Sequence, residues 1–139
     1  MRYLLDTNVI SELVAKQPNL NVIEWIDGLD PNSVYLSVIT IGELRKGIEK
    51  LPESKWKDAL GTWLNDDLLI RFSGRILELD IPVMLRWGEL IGQLEQSGKP
   101  LQALDSLIAA LALHHQCTLV TRNEDDFRAT GVTVFNPWK

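Results

Sequence analysis

A single cysteine, Cys117, leaves this 139-residue chain without an intramolecular disulfide or a cysteine-built zinc site. Set in HHQCTLVT, it reads as a small buried thiol in a reducing compartment. Histidine is as scarce: His114 and His115 stand together at the end of an apolar run, where a helix C-terminus suits them better than metal ligation. Basic residues are also too few, with 14 Lys and Arg against 19 Asp and Glu. The resulting net charge of −5 makes the surface as a whole repel a phosphate backbone, so any role on nucleic acid must rest on local chemistry. No apolar run approaches the ~20 residues that span a bilayer, and the N-terminus lacks a basic segment followed by an apolar one. The expectation is a cytoplasmic protein without membrane association.

What is present is enough apolar content, 45% of residues, to build one core, and we expect a single domain over residues 1–139. Short β-rich runs at Tyr3 to Leu5, Val34 to Leu36, Ile76 to Leu79, Thr118 to Thr121 and Val132 to Phe135 alternate with segments of helical spacing. Ser37 suits the cap of a helix whose apolar face is Ile41, Leu44, Ile48 and Leu51. A stripe of Trp56, Leu60, Trp63 and Leu64 marks the next helix, and Pro82 the first turn of another that stops near SGKP at Ser97 to Pro100. From Leu104 to His114 the run is apolar nearly all round, as in a helix at the centre of a fold. Strands alternating with helices imply an α/β architecture, a central and mostly parallel sheet flanked by helices, whose ligands gather at the carboxyl ends of the strands.

Acids fall at those ends. Asp6 follows the first strand directly, Glu43 lies within two turns of the second, Asp105 opens the buried helix, and Asn123, Glu124, Asp125 and Asp126 follow the fourth. Each has a local explanation: Asp6 as a helix cap, Glu43 as a solvated residue, Asp105 as a complement to the helix dipole. Asp105 strains its explanation most, because a charge set in LQALDSLIAALAL is expensive to bury unless paired or coordinated. Carboxylates brought together repel unless a cation neutralises them, and an all-oxygen site suits Mg²⁺ or Mn²⁺. Such an ion activates water and stabilises charge in displacement at phosphorus.

The segments LLDTNVISEL at Leu4 to Leu13, LSVITIGELRKGI at Leu36 to Ile48, ALDSLIAALAL at Ala103 to Leu113 and LVTRNEDDF at Leu119 to Phe127 resemble, in order and spacing, the PIN-domain nucleases, and within them the VapC-type toxins of bacterial toxin–antitoxin pairs. FSGRIL at Phe72 to Leu77 and VFNPW at Val134 to Trp138 look like the FitB-like branch.

The resemblance implies a PIN-like fold and a Mg²⁺-dependent endoribonuclease, or one that takes Mn²⁺, leaving 5′-phosphate and 3′-hydroxyl ends. It places the catalytic acids at Asp6, Glu43 and Asp105, with Asp6 and Asp105 as metal ligands. The commonest pattern has an aspartate where this chain has Asn123, so Asp126 is the candidate for the remaining charge. Thr7, Asn8, Ser37, Thr40, Thr121 and Asn123 match small polar positions that orient acids and water. Arg45, Lys46 and Arg122, with Lys50 and Arg128 nearby, are candidates for gripping RNA.

Implied partners are a cognate VapB- or FitA-like antitoxin, through which alone DNA is contacted, and a second copy in a homodimer. The tryptophan and leucine stripe would serve either as core or as a groove for an antitoxin helix. A second reading keeps the fold as the partner half of a DNA-binding regulatory complex with little nuclease activity. A phosphotransfer receiver domain fits poorly, lacking paired acids before the first helix, and a haloacid-dehalogenase-like phosphatase is opposed by Asn8 where a second aspartate is wanted.

Overall fold

The computed structural model describes residues 1–139. Its centre is β1 (Arg2–Leu5), flanked on one side by β2 (Val34–Ser37) and β3 (Ile76–Leu77) and on the other by β4 (Cys117–Val120) and β5 (Val134–Phe135). All four pairings are parallel, giving the order β3-β2-β1-β4-β5. Parallel strands covered on both faces need apolar residues at successive positions, and β1 and β4 supply them: Leu4 and Leu119 face one side, Leu5 and Val120 the other.

On the first side, α6 (Ile81–Gln96) and α7 (Ala103–His114) pack Val83, Leu90 and Leu94 against Ile108 to Ala112, and fully buried Phe127 closes the layer. On the second, α1 (Thr7–Leu13), α2 (Leu20–Asp27), α3 (Val38–Glu49) and α4 (Lys55–Thr62) cover the sheet with Val9, Ile10, Val22, Leu44 and Ile48. α4 runs through a π-helical turn, Trp63–Leu68, into the short α5 (Leu69–Arg71). There Arg75 ties the segment down: Nη1 donates to the carbonyls of Pro31 and Val34, both at 2.6 Å, and Nη2 to that of Arg71 at 2.8 Å. α6 stops where Gly98, at φ +69°, lets its own N–H reach Glu95 O and the next N–H, that of Lys99, reach Leu94 O, the paired bonds that close a helix with a left-handed residue.

The structure shortens two expected strands and shifts one helix: the fifth strand begins at Val134 rather than Val132. The third strand ends at Leu77, because Glu78 and Leu79 lead out to Asp80, whose carboxylate caps α6 by accepting from Val83 N at 3.0 Å. The helix of the tryptophan and leucine stripe, expected over Glu53 to about Leu69, begins at Lys55, after the cap Ser54, and continues to Arg71. Of its stripe, Leu64 is buried and Leu60 and Trp63 pack on the core, whereas Trp56 stays at the surface beneath the Lys16 ammonium. His114 closes α7 and His115 caps it, the helix-end placement expected, and burial, with His114 beside it, lowers the pKa of the His115 imidazole.

The strand order places the site. The chain steps outward from β1 to β2 and β3, then crosses to β4 on the far side of β1, so the connections diverge between β1 and β4. Their carboxyl ends form the crevice where open α/β sheets bind ligands.

Candidate active site

Asp6 extends β1 by one bond, its N–H donating to Val120 O at 2.9 Å, and then caps α1 with Oδ1 accepting from Thr7 N at 2.8 Å. Its other oxygen, Oδ2, accepts from the hydroxyl of Thr121, just past β4, at 2.8 Å. Asp6 is thus buried and held from two neighbouring strand ends. Glu43 comes from the second turn of α3, Asp105 from the first turn of α7 and Asp126 from the 3₁₀ turns after β4. All four carboxylates line one open cavity of about 530 Å³. The sequence separates them by up to 120 residues, and the fold brings them together at the divergence of the sheet.

Small polar side chains orient them. Thr7 Oγ1 donates to Glu43 Oε1 at 2.5 Å and lies 3.0 Å from Thr40 Oγ1. Asn8 Nδ2 donates to Thr121 Oγ1 at 3.2 Å, and Asn8 Oδ1 accepts from Arg122 N at 3.4 Å. The Asn123 N–H donates to the same Thr121 oxygen at 3.1 Å. Ser37 caps α3 by accepting from Thr40 N at 3.1 Å and is the most remote member of this network. Asp6 and Ser37 are thus both helix caps, and Asp6 also lines the cavity.

The cluster is electrostatically uncomfortable without a counter-charge. Burial raises the pKa of Asp6, against hydrogen bonds from Thr121 and Thr7 that lower it, and the charges of Glu43 and Asp126 raise it further. Asp105 is pushed up to about 6, first by burial and then by Asp6, Asp126 and Glu43. Asp126 acts on both, which places it electrically within the site although it is exposed.

The donor set fits a hard divalent cation: oxygen ligands only, negative, and facing solvent. No three of the acids stand close enough to form a ready-made ligand cluster. Mg²⁺ is commonly held by one or two carboxylates while keeping several waters.

Of the basic candidates, only Arg122 lines the cavity. Arg45 turns to pair with Glu49 at 2.5 Å and borders a separate groove with Lys57 and Asn65. Lys46 is exposed, and neither it nor Lys50 lines the cavity. Arg128 pairs with Asp125 just outside it. The cavity also contains Glu12, Gln102 and Trp138, which the sequence reading did not select. The one available signal was VFNPW, whose tryptophan returns to the mouth of the site only because β5 lies beside β4.

Residues 3–132 match the PIN-domain family model. The chain is 44% identical over 135 residues to toxin FitB of Neisseria gonorrhoeae, covering 97% of both chains, and 37% identical over 136 residues to VapC ribonuclease Y4jK of Sinorhizobium fredii, covering 98% and 97%. Among solved structures it superposes on the FitAcB crystal structure from Neisseria gonorrhoeae with a TM-score of 0.93, at 44% identity and 98% coverage of both chains. It superposes on VapBC2 of Rickettsia felis, bound to a promoter DNA fragment, with a TM-score of 0.80, at 29% identity and 98% coverage of both. The chain belongs to the PIN-domain family, in the group that includes toxin FitB and the VapC ribonucleases.

Proposed function

We propose that this protein is a metal-dependent endoribonuclease, the toxin of a type II toxin–antitoxin pair, that cuts RNA phosphodiester bonds to leave 5′-phosphate and 3′-hydroxyl ends. The observation that carries this reading is the convergence of Asp6, Glu43, Asp105 and Asp126 on one open cavity. Relatives at 37% and 31% identity, named as VapC ribonucleases, support the substrate class.

A divalent cation, Mg²⁺ or Mn²⁺, supplies Lewis acidity toward water and the phosphodiester when bound. Asp6 and Asp105 would hold it. Glu43 has Oε1 fixed by the Thr7 hydroxyl, which leaves Oε2, with no donor from the protein, to take the proton of attacking water. The water oxygen bonds to phosphorus, the bond from phosphorus to O3′ breaks, and O3′ leaves as a hydroxyl on gaining a proton. Arg122 is the basic residue placed to meet the phosphate.

Partner-bound relatives support a cognate antitoxin: the similar structures include a FitAB complex on a DNA fragment, and the DNA-bound VapBC2. On this reading the antitoxin blocks the acidic cavity and makes the DNA contact. A homodimer is part of the same proposal.

The test is cleavage of total cellular RNA by antitoxin-free protein with Mg²⁺, Mn²⁺ or chelator. Discrete fragments should require the metal and fall about 10²-fold or more with Asp6→Asn or Asp105→Asn, since loss of residues that merely orient metal ligands already costs 10–100-fold. Intact RNA from folded protein under all conditions, with the antitoxin complex still bound to DNA, would favour the second reading, a regulatory partner without nuclease activity.

A further inference from the structure

We propose that Trp138 and Arg122 form a seat for one unpaired nucleotide of the RNA substrate beside the bond to be cut, the ring taking its base and the guanidinium its phosphate. This rests on the ribonuclease reading and adds residues that read the substrate. Trp138 and Ala15 are the only apolar residues lining the acidic cavity. The indole packs in part on the second core layer and presents its remaining surface to the carboxylates, amides and hydroxyls of the cavity.

The ring is held in place. Its Nε1 donates to Glu12 Oε1 at 3.3 Å, and the backbone N–H of Trp138 donates to Asn136 Oδ1 at 2.9 Å. Glu12 is itself fixed by Asn19 N, which donates to Oε2 at 3.1 Å, and buried Asn136 reaches back to Arg122 O at 3.5 Å. Such bracing removes the entropy loss that a mobile aromatic would suffer on stacking.

Arg122 lies over the ring, its guanidinium carbon 5.2 Å from the centroid. Although acids surround it, it joins none of the ion pairs of the fold, and its guanidinium donates no hydrogen bond to the protein. Five N–H donors are therefore free at the one positive charge in the cavity. An aromatic face with an unpaired guanidinium is the combination by which proteins hold single-stranded RNA, stacking on the base and bonding to phosphate. A base in a duplex has no free face to offer, so the seat selects unpaired RNA.

The experiment measures binding with cleavage silenced. Full-length Asp6→Asn protein is titrated, in chelator, against a short labelled oligoadenylate, its abasic ribose-phosphate counterpart and an adenine–uracil duplex, by fluorescence anisotropy. The oligoadenylate should bind about tenfold more tightly than the abasic strand and the duplex. Adding Trp138→Leu should abolish that preference, Trp138→Phe should keep most of it, and Arg122→Gln should weaken all strands and flatten the salt dependence. A preference unchanged by Trp138→Leu, or an abasic strand that binds the starting protein as tightly as oligoadenylate, overturns the seat but not the nuclease. The abasic comparison alters no residue of the seat, so a poorly folded leucine variant does not shield the proposal. No binding of any strand also overturns the seat, while the nuclease is judged separately by the metal-dependent cleavage of RNA.

Discussion

Thr7 and Glu43 share a hydrogen bond of 2.5 Å that joins the start of α1 to the second turn of α3. An ionised carboxylate only accepts, so the Thr7 proton points at Glu43 and its oxygen must accept from Thr40, 3.0 Å away. Thr40 in turn accepts from Ser37 at 3.4 Å. The hydroxyls thus run in one direction, from the buried cap of α3 to the carboxylate at the cavity. Thr7→Val keeps the shape and removes the donor. RNA cleavage should fall about tenfold, with Thr7→Ser restoring it, and the loss should shrink in a Glu43→Gln background because the two changes act on one bond. Equal losses in both backgrounds would mean that Thr7 serves something other than Glu43.

The turn between α7 and β4 stores backbone strain away from the site. Gln116 is the one non-glycine residue with positive φ, at 56°. It lies at the amino end of β4, whereas the acids sit at the carboxyl end. Gln116→Gly should raise stability by up to about 1 kcal/mol, the relief of the left-handed conformation less the entropy that glycine adds to the unfolded chain. Urea unfolding checks the gain, and RNA cleavage should be unchanged.

Much of this site could be read before the fold was known, for reasons that separate the residues. Asp6, Glu43 and Asp105 each sit beside a strand or helix whose apolar period is plain, so placing the element places the acid. Thr7 and Asn8 follow from being next to Asp6 in sequence, and Thr121 from closing the apolar run of β4. Trp138 has no such neighbour: it reaches the cavity by the β4–β5 pairing and a bond to Glu12, contacts across 126 residues that no local pattern encodes. Arg45 failed in the opposite way. It is two residues from Glu43, but at about 100° of helical turn per residue that offset points it to another face, where Glu49 takes it. The π-helical turn was equally hidden, since Trp63, Leu64 and Leu68 fit an ordinary helix as well.

Asn123 and Asp126 both line the cavity, but only Asp126 brings charge to it. Its effect on Asp6 and Asp105 shows that the charge reaches the cluster. Asp126→Asn should therefore raise the Mg²⁺ concentration needed for half-maximal cleavage about tenfold, whereas Asn123→Ala should leave it within about twofold. Asn123→Asp, which restores the commoner pattern of the family, should lower it. A reversed order would move the fourth contribution from Asp126 to Asn123.

Asp105 makes the cluster visible without RNA. Its carboxyl, pushed from 3.8 up to about 6, keeps a proton in the folded chain at pH values where the unfolded chain has lost it. The folded state binds more protons in that window, so metal-free protein should lose stability as pH rises from about 4 to about 6 and hold level above. Asp105→Asn cannot ionise and escapes this loss. At pH 7 in chelator the variant should be more stable than wild type by on the order of 1 kcal/mol, a figure discounted for the part exposure of the carboxyl, and below about pH 4 the difference should vanish. Added Mg²⁺ should then raise the melting temperature of wild type while leaving the variant nearly unmoved, because binding to the folded state alone is what stabilises. Urea unfolding of both proteins across that pH range, with and without Mg²⁺, reads the sign directly. A difference independent of pH would mean that burial and the acidic neighbours do not raise the Asp105 carboxyl, and a variant that still responds fully to Mg²⁺ would mean that Asp105 does not hold the ion.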